Sequence, residues 1–305
     1  MRAILFPGQG SQYVGMGSDF YKKFKSAKNF FEIVDKTLGF SLSNIILNGP
    51  ESELKLTQNA QPAIMTVGVC IFNVVNQEFG LNLKNTKFFA GHSLGEYTAL
   101  VCAGSLTIES AAYLLHKRGK AMQEAVPTGQ GAMIAVIGMT ISEVEKEISF
   151  LSKEQICEIA NDNCDGQVVV SGTRVAIKAL NENLKKKRKK GIFLPVSAPF
   201  HSSLMQKALE TMKDKIENTD FLKPQPSIIS NVTASEENDI NSIKSLLVNQ
   251  ITSRVRWRES VNYMIKKGVT DFIEIGPGKI LTGLVKKIDK DAKISNINSL
   301  EDIKK

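Results

Sequence analysis

The chain has 305 residues, of which 42% are hydrophobic and 23% charged, and its 39 Lys and Arg against 31 Asp and Glu give a net charge of +8. This length predicts one large domain or two small ones, and the composition excludes low-complexity and collagen-like chains. No apolar run approaches the roughly 18 residues of a membrane span, and the N-terminal segment becomes glycine-rich at Gly8, too early for a signal peptide. We therefore expect a cytoplasmic protein that does not associate with membranes.

Strands and helices alternate through the first part of the chain. Short apolar runs predict buried strands at Ala3–Phe6 and Lys87–Ala90. Helical periodicity covers 60–79, 95–103 and 107–125, and shorter helical patterns with turns near Gly39 and Gly49 precede it. This alternation predicts a parallel sheet wrapped by helices.

The middle of the chain has a different order of elements: strand, helix, two strands, helix, strand. The predicted elements are strand 131–138, helix 142–152, strands 156–161 and 167–171, helix 174–190 and strand 191–197. This is the order of a ferredoxin-like unit. The first pattern then resumes with helices 202–218, 240–250 and 257–267 and strands 227–230, 271–275 and 292–297. We predict an α/β fold with a core from 1–125 and 198–305 and a ferredoxin-like subdomain inserted at 126–197.

The pentapeptide Gly91–Gly95 matches the G-x-S-x-G pattern between a predicted strand and a predicted helix. Small residues on both sides of Ser93 permit a sharp turn that exposes its hydroxyl, and the following helix N-terminus can stabilise an oxyanion. In this context a nucleophilic Ser93 is favoured over an ordinary turn serine.

A nucleophilic serine needs a base, and the chain offers three histidines. His92 adjoins Ser93, so its side chain should point away on a sharp turn, and His116 lies in a helix where packing explains it. His201 lies in a loop before a helix, where catalytic residues often occur. Elimination therefore favours His201 as the base.

Two further features suit an active site. The glycine-rich turn Gly8–Gln12 follows the first strand and matches neither a P-loop nor a dinucleotide fingerprint, because Tyr13 stands where the third glycine would be. The turn either brings backbone groups to a ligand or is a tight connection. Arg118 is a surface residue unless the helix face of Leu114 and Met122 is buried, in which case it suits a carboxylate.

The cysteines and the basic residues indicate which metals and macromolecules the protein is expected to bind. Four cysteines show no ligand spacing with the histidines, so we expect reduced thiols and no metal site. The run Lys185–Lys190 indicates an acidic partner, nucleic acid or a solvated helix end. It lacks interleaved aromatic residues, so we expect no nucleic acid partner.

Several short motifs together resemble the malonyl-CoA:acyl carrier protein transacylase family and the acyltransferase domains of polyketide and fatty acid synthases. These motifs occur in family order along nearly the whole chain, at Gly8–Gln12, Gln58–Pro62, Gly91–Tyr97, Arg118, Asn161–Asn163, Gly166–Val168, Ala198–Ser202, Ser230–Thr233 and Gly276–Gly278. The resemblance implies an α/β-hydrolase-like core with an inserted ferredoxin-like subdomain.

The resemblance also implies catalytic roles. Ser93 would carry the acyl group as an ester, His201 would be its general base, and the main-chain carbonyl of Gln250 would orient the imidazole. The backbone N–H groups of Leu94 and Gln12 would form the oxyanion hole.

The resemblance further implies a malonyl pocket. Arg118 would pair with the free carboxylate of malonate, and Phe200 matches a bulky residue of members that prefer malonyl to methylmalonyl groups. The implied substrate-binding residues are Arg118, Met122, Asn161, Phe200 and Gln9. No cofactor is expected. The substrates would be malonyl-CoA and holo-acyl carrier protein in fatty acid or polyketide synthesis, the acidic carrier docking near Lys185–Lys190 on a monomer.

A serine hydrolase or esterase is the nearest alternative, since it shares the G-x-S-x-G pattern. Such enzymes order the triad as serine, acid, histidine, with the histidine late in the chain. Here a long segment follows His201 and no acid between Ser93 and His201 stands out. The sequence therefore favours a Ser–His dyad that transfers acyl groups.

Overall fold

The computed structural model describes residues 1–80, 86–151, 155–196 and 198–304. Within these residues the strands are β1 Arg2–Phe6, β2 Thr86–Gly91, β3 Gly131–Ile137, β4 Cys157–Cys164, β5 Gln167–Thr173, β6 Lys190–Phe193, β7 Ser227–Ile229, β8 Glu236–Glu237, β9 Asp271–Ile275 and β10 Lys293–Ile297. The helices are α1 Ser18–Lys23, α2 Lys25–Leu38, α3 Leu42–Asn48, α4 Glu51–Lys55, α5 Thr57–Glu78, α6 Gly95–Cys102, α7 Ile108–Glu124, α8 Ile141–Ser149, α9 Arg174–Lys186, α10 Gln206–Glu217, α11 Ile240–Asn249, α12 Trp257–Lys266 and α13 Ile280–Ile288. Short 3₁₀ turns cover Ser203–Met205 and Asp302–Lys304.

The large sheet has six strands in the order β10-β9-β1-β2-β7-β8. All its pairings are parallel except that of β7 with the two-residue strand β8. In a parallel sheet the carboxyl ends of neighbouring strands meet at one edge, where ligands bind in open α/β folds. The turns after β1, β2 and β9 therefore lie near one another.

Apolar residues cover both faces of this sheet. Along β1, Ile4 and Phe6 belong to the larger hydrophobic cluster, whereas Ala3 and Leu5 belong to a second cluster on the opposite face. This alternation follows from the two-residue period of a strand. The long helix α5 packs on α7 within the larger cluster and is buried over most of its length.

The small sheet has four antiparallel strands in the order β4-β5-β3-β6 and a hydrophobic cluster of its own. Together with α8 and α9 it forms the predicted β-α-β-β-α-β unit, which confirms the α/β fold class with a ferredoxin-like insert. Strand β4 is tied to the core because the Asp162 N–H donates to the Val255 carbonyl at 2.9 Å. Arg258 also forms an ion pair with the buried Asp162 at 2.9 Å.

Several predicted element ends in the insert are wrong. Strand β4 continues to Cys164 instead of ending at 161, and helix α8 ends at Ser149 instead of 152. The helix predicted over 174–190 ends at Lys186, because the chain turns through Arg188 at a positive φ of 56° and re-enters a strand at Lys190. The strand predicted over 191–197 ends at Phe193. Ser152, the last residue of predicted helix 142–152, and Ser197, at the predicted domain boundary, lie outside the described residues. The domain boundaries therefore stay a prediction.

Candidate active site

The turn between β2 and α6 holds Ser93 in a left-handed conformation, with φ of 54°. The turn is tight enough that a Cβ on Gly91 would lie 1.9 Å from the Gly95 carbonyl carbon, and a Cβ on Gly95 would lie 2.3 Å from the Phe6 carbonyl oxygen. Both glycines are therefore required, and the strained serine conformation is that of a nucleophile elbow.

Ser93 and His201 form a hydrogen-bonded pair. Ser93 Oγ lies 2.8 Å from His201 Nε2, and His201 Nδ1 lies 2.8 Å from the main-chain carbonyl oxygen of Gln250. A carbonyl can only accept, so Nδ1 carries the proton and Nε2 is left to accept the serine proton. The structure therefore brings the predicted nucleophile, base and orienting carbonyl together.

The imidazole of His201 is held in its neutral form. It is buried, and burial together with the nearby Arg118 cation lowers the pKa of His201 to about 3. Neutral imidazole is the form that can take a proton, so the base is ready at neutral pH.

Arg118 is a buried cation that lines the cavity of the site. It is 0% exposed, and Leu114 and Met122 on its helix are buried too. The sequence made the suitability of Arg118 for a carboxylate depend on the burial of this helix face. Its Nη1 donates to Gln61 Oε1 at 2.8 Å and its Nη2 donates to Ser93 Oγ at 3.2 Å. Its Nε is buried and has no hydrogen-bond partner in the described part of the chain.

The side chain of Gln250 connects these groups. Its Oε1 accepts from Arg118 Nη2 at 2.8 Å, and its Nε2 donates to the Glu96 carboxylate at 2.7 Å and to the Ser93 carbonyl at 3.1 Å. Burial raises the pKa of Glu96 to about 7, although hydrogen bonds from Asn231 and Gln250 and the Arg118 charge act in the other direction.

Three backbone N–H groups around the site, those of Ser93, Leu94 and Gln12, differ in whether they already have a hydrogen-bond partner. The Ser93 N–H donates to Asn231 Oδ1 at 2.7 Å and is therefore occupied. The N–H groups of Leu94 and Gln12 have no partner among the described residues, as an oxyanion hole requires. The Gln12 side chain also stabilises its own turn, because its Oε1 accepts from the Gly10 N–H at 2.7 Å.

A cavity of ≈ 240 Å³ opens onto the pair. Eight of the ten predicted site residues line it: Gln9, Gln12, Ser93, Arg118, Met122, Asn161, Phe200 and His201. The other two, Leu94 and Gln250, were predicted to act through backbone groups. Leu194 and Val196, from the chain after β6, form part of the wall, so the insert helps to enclose the site.

The other two histidines have structural partners. His92 Nε2 lies 2.9 Å from Asn163 Oδ1, and its ring packs on Trp257 with centroids 5.6 Å apart. His116 Nδ1 lies 3.0 Å from the Gln58 carbonyl. His116 therefore packs within the fold, as the sequence predicted. His92 also lines the cavity, which the sequence did not indicate.

Three buried polar residues of the site were missing from the sequence-predicted set: Gln61, Glu96 and Asn231. Each lies inside a motif that carried the family resemblance, which was the available signal. Gln61 and Asn231 bind Arg118 and the Ser93 backbone, respectively. Nothing in the sequence alone gave these contacts, because they join elements that are far apart in the chain.

The basic run lies at the exposed end of α9 and is partly paired. Lys185 forms an ion pair with Glu182 at 2.8 Å, and Lys187 donates to Glu147 at 2.6 Å.

Among the residues that the structure describes, no group of three or more His, Cys, Asp or Glu side chains is placed to hold a metal ion. In the same residues no helix is both long enough and apolar enough to cross a membrane.

Comparison with known proteins identifies the family of the chain. Residues 4–304 match the family model described as acyl transferase domain. The malonyl CoA-acyl carrier protein transacylase of Bacillus subtilis (strain 168) is 43% identical over 303 residues, which cover 99% of this chain and 94% of the relative.

Solved structures agree with the sequence comparison. An acyl-carrier-protein S-malonyltransferase from Bartonella henselae superposes with a TM-score of 0.96 at 45% identity, covering 99% of this chain and 97% of the other. A malonyl-transacylase in complex with a type II PKS acyl-carrier protein superposes with a TM-score of 0.95 at 36% identity, covering 99% and 97%. With its nucleophile elbow and Ser93–His201 pair, the chain belongs to the acyl transferase domain family.

Proposed function

We propose that the protein transfers a malonyl group from malonyl-CoA to the phosphopantetheine thiol of an acyl carrier protein, through an ester on Ser93. The observation that carries this proposal is the buried Arg118 guanidinium, whose Nη2 lies 3.2 Å from the nucleophilic oxygen. A cation at that place suits an acyl group that ends in a carboxylate. The relatives named for this reaction, which match nearly the full chain, support it.

In the first half-reaction the Ser93 hydroxyl attacks the thioester carbonyl while His201 Nε2 takes its proton. The carbonyl oxygen becomes an oxyanion, which the N–H groups of Leu94 and Gln12 stabilise. When the tetrahedral intermediate collapses, the C–S bond breaks and His201 returns the proton to the sulfur of coenzyme A.

In the second half-reaction the carrier thiol gives its proton to His201 and attacks the ester carbonyl. The C–O bond to Ser93 breaks and His201 protonates the serine oxygen, so the enzyme is regenerated. No acid is needed as a third catalytic residue, because the Gln250 carbonyl fixes the imidazole tautomer.

The pocket selects the acyl group by charge and size. Malonate offers a carboxylate to Arg118, whereas an acetyl group would leave this buried cation without an anion. Phe200 lines the cavity and is 7% exposed, so it limits the room beside the acyl chain. Met122, Asn161 and Gln9 complete the proposed binding wall.

Compartment and partner form the remaining part of the proposal. The four cysteines are all free, which suits the reducing cytoplasm. The basic run Lys185–Lys190 is proposed as the docking surface for an acidic carrier protein through electrostatic steering. The proposed reaction needs no cofactor, because it exchanges one thioester for another through the Ser93 ester.

Steady-state kinetics test the proposal. With malonyl-CoA and holo-acyl carrier protein varied together, a ping-pong reaction gives parallel double-reciprocal lines. Ser93→Ala should abolish transfer, and His201→Ala should reduce kcat by several orders of magnitude. Intersecting lines, or transfer that survives Ser93→Ala, would exclude an ester on Ser93.

A further inference from the structure

One buried carboxylate in the site touches none of the reacting atoms. Glu96, in the first turn of α6, is 1% exposed. Its Oε2 accepts from the main-chain N–H of Asn231 at 3.1 Å and from Gln250 Nε2 at 2.7 Å. The reaction steps described above leave this group without a role.

Glu96 provides the shorter of two acceptors for the NH₂ group of Gln250, at 2.7 Å against 3.1 Å to the Ser93 carbonyl. Glu96 Oε2 already accepts from the Asn231 N–H, so this oxygen acts as an acceptor and the NH₂ end of the amide faces it. The carbonyl end then faces Arg118, which only donates. If the amide turned over, its NH₂ group would oppose the guanidinium, and two donors would meet in a buried site.

The Arg118 guanidinium depends on such acceptors for its position. Gln61 Oε1 holds its Nη1 and Gln250 Oε1 holds its Nη2, each at 2.8 Å. The same Nη2 also reaches Ser93 Oγ. A shift of this nitrogen would therefore move the cation relative to both the nucleophile and the acyl carboxylate.

We propose that Glu96 is a positioning residue for acyl-group selectivity: by fixing the Gln250 amide it aims Arg118 at the distal carboxylate of the acyl group. This inference rests on the proposed function, in which Arg118 binds that carboxylate. The negative charge of Glu96 also offsets the buried cation, and the hydrogen-bonding and charge effects can be separated by substitution.

Selectivity between two acyl donors tests the inference. The rate of ester formation on Ser93 is measured with malonyl-CoA and with acetyl-CoA, which lacks the carboxylate. Glu96→Ala should lower the malonyl-to-acetyl ratio of kcat/KM by roughly 10-fold to 100-fold, the effect of one charge-assisted hydrogen bond. In Glu96→Gln the amide oxygen can still accept from Gln250 and Asn231, so the ratio should stay within about 3-fold of the wild-type value.

A double-mutant cycle shows whether the effect passes through Gln250. Gln250→Ala removes the amide but keeps the main-chain carbonyl that orients His201. If Glu96 acts through the amide, adding Glu96→Ala to Gln250→Ala should cause no further loss of the ratio. Additive losses would overturn the inference.

Equal losses for malonyl-CoA and acetyl-CoA in Glu96→Ala would also overturn it, since a merely structural role would slow both donors alike. If Glu96→Ala does not fold, Glu96→Asp carries the test, because it keeps the charge and withdraws the carboxylate by one methylene. The ratio should then fall, and an unchanged ratio would contradict the inference. Failure of the proposed function is distinct, because the wild-type protein would then form no malonyl ester at all.

Discussion

In the proposed function, Arg118 acts on both the acyl carboxylate and the base His201. Its charge suits the acyl carboxylate, and after burial it is the second cause of the low pKa of His201. A malonyl carboxylate bound to Arg118 would offset the cation and raise the pKa of His201, which makes the imidazole a stronger base once the substrate is in place. The proposed function therefore implies that the charge of Arg118 couples binding of the acyl carboxylate to the basicity of His201.

Arg118→Met should reveal this coupling in the pH dependence of acyl transfer. With a pKa of about 3, His201 stays neutral from pH 5 to 8 and sets no acid limb there. Burial, the larger cause of the low pKa, remains in Arg118→Met, so loss of the cation should raise the pKa of His201 only part of the way towards its ordinary value. The acid limb should therefore move to higher pH, and the profile is followed below pH 5 to detect it. The readout is kcat/KM for acetyl-CoA against pH, which avoids the carboxylate. An unchanged profile would show that Arg118 does not affect the base.

Phe200 should set the preference for malonyl over methylmalonyl groups. It lines the cavity beside His201, so Phe200→Ser opens room for one methyl group. The ratio of kcat/KM for malonyl-CoA to that for methylmalonyl-CoA should fall by about 10-fold, since a methyl group in a pocket is worth at least that much. A ratio that stays constant in a competition assay would show that Phe200 does not determine this preference.

Among the elements, those with strong local signals were predictable. Strands β1, β2 and β9 are short runs rich in apolar residues, with a glycine at their end or within two residues of it. The elbow follows from glycines on both sides of Ser93. The end of α9 was not predictable, because Lys and Arg are good helix formers and nothing local marks the turn at Arg188. The contacts of Gln61, Glu96 and Asn231 depend on the packing of distant elements, which no local pattern encodes.

Replacing a glycine by alanine should have opposite effects on stability at two helical positions, Gly95 at the elbow and Gly283 in α13. Gly95→Ala places a Cβ 2.3 Å from the Phe6 carbonyl oxygen, so backbone must shift, at a cost of about 1–3 kcal/mol. In Gly283→Ala the new Cβ meets no atom of the described residues within 4 Å apart from its own helix backbone and chain neighbours, so the helix should gain about 0.5–1 kcal/mol. Thermal and denaturant unfolding of both variants measure these changes. Equal stabilities would mean that the turn is looser than described.

At the scale of the whole molecule, the insert both encloses the cavity and carries the basic run. Chain from this insert contributes Asn161 and Leu194 to the wall of the site. The Asp162–Arg258 ion pair fixes β4 to α12 of the core. The insert that carries the charged surface therefore also supplies one wall of the cavity, although the two would contact different parts of the substrates.

Charge reversal should separate carrier docking from acyl-CoA binding. Lys186→Glu with Lys190→Glu should raise KM for the carrier protein several-fold and lower the salt dependence of the second half-reaction, because surface charge mainly governs encounter. KM for malonyl-CoA should not change. Lys213→Glu, on α10, is the matched control for a lysine outside the run. Parallel changes in both KM values would contradict docking at this surface.

The measurement that tests the account most directly is the intact mass of the protein after mixing with malonyl-CoA, and again after adding holo-acyl carrier protein. The account predicts a malonyl adduct that maps to Ser93, is absent in Ser93→Ala, and moves quantitatively to the carrier. An adduct that is lost only to water would contradict it in favour of a hydrolase. An adduct that forms with acetyl-CoA but not with malonyl-CoA would contradict the assignment of Arg118.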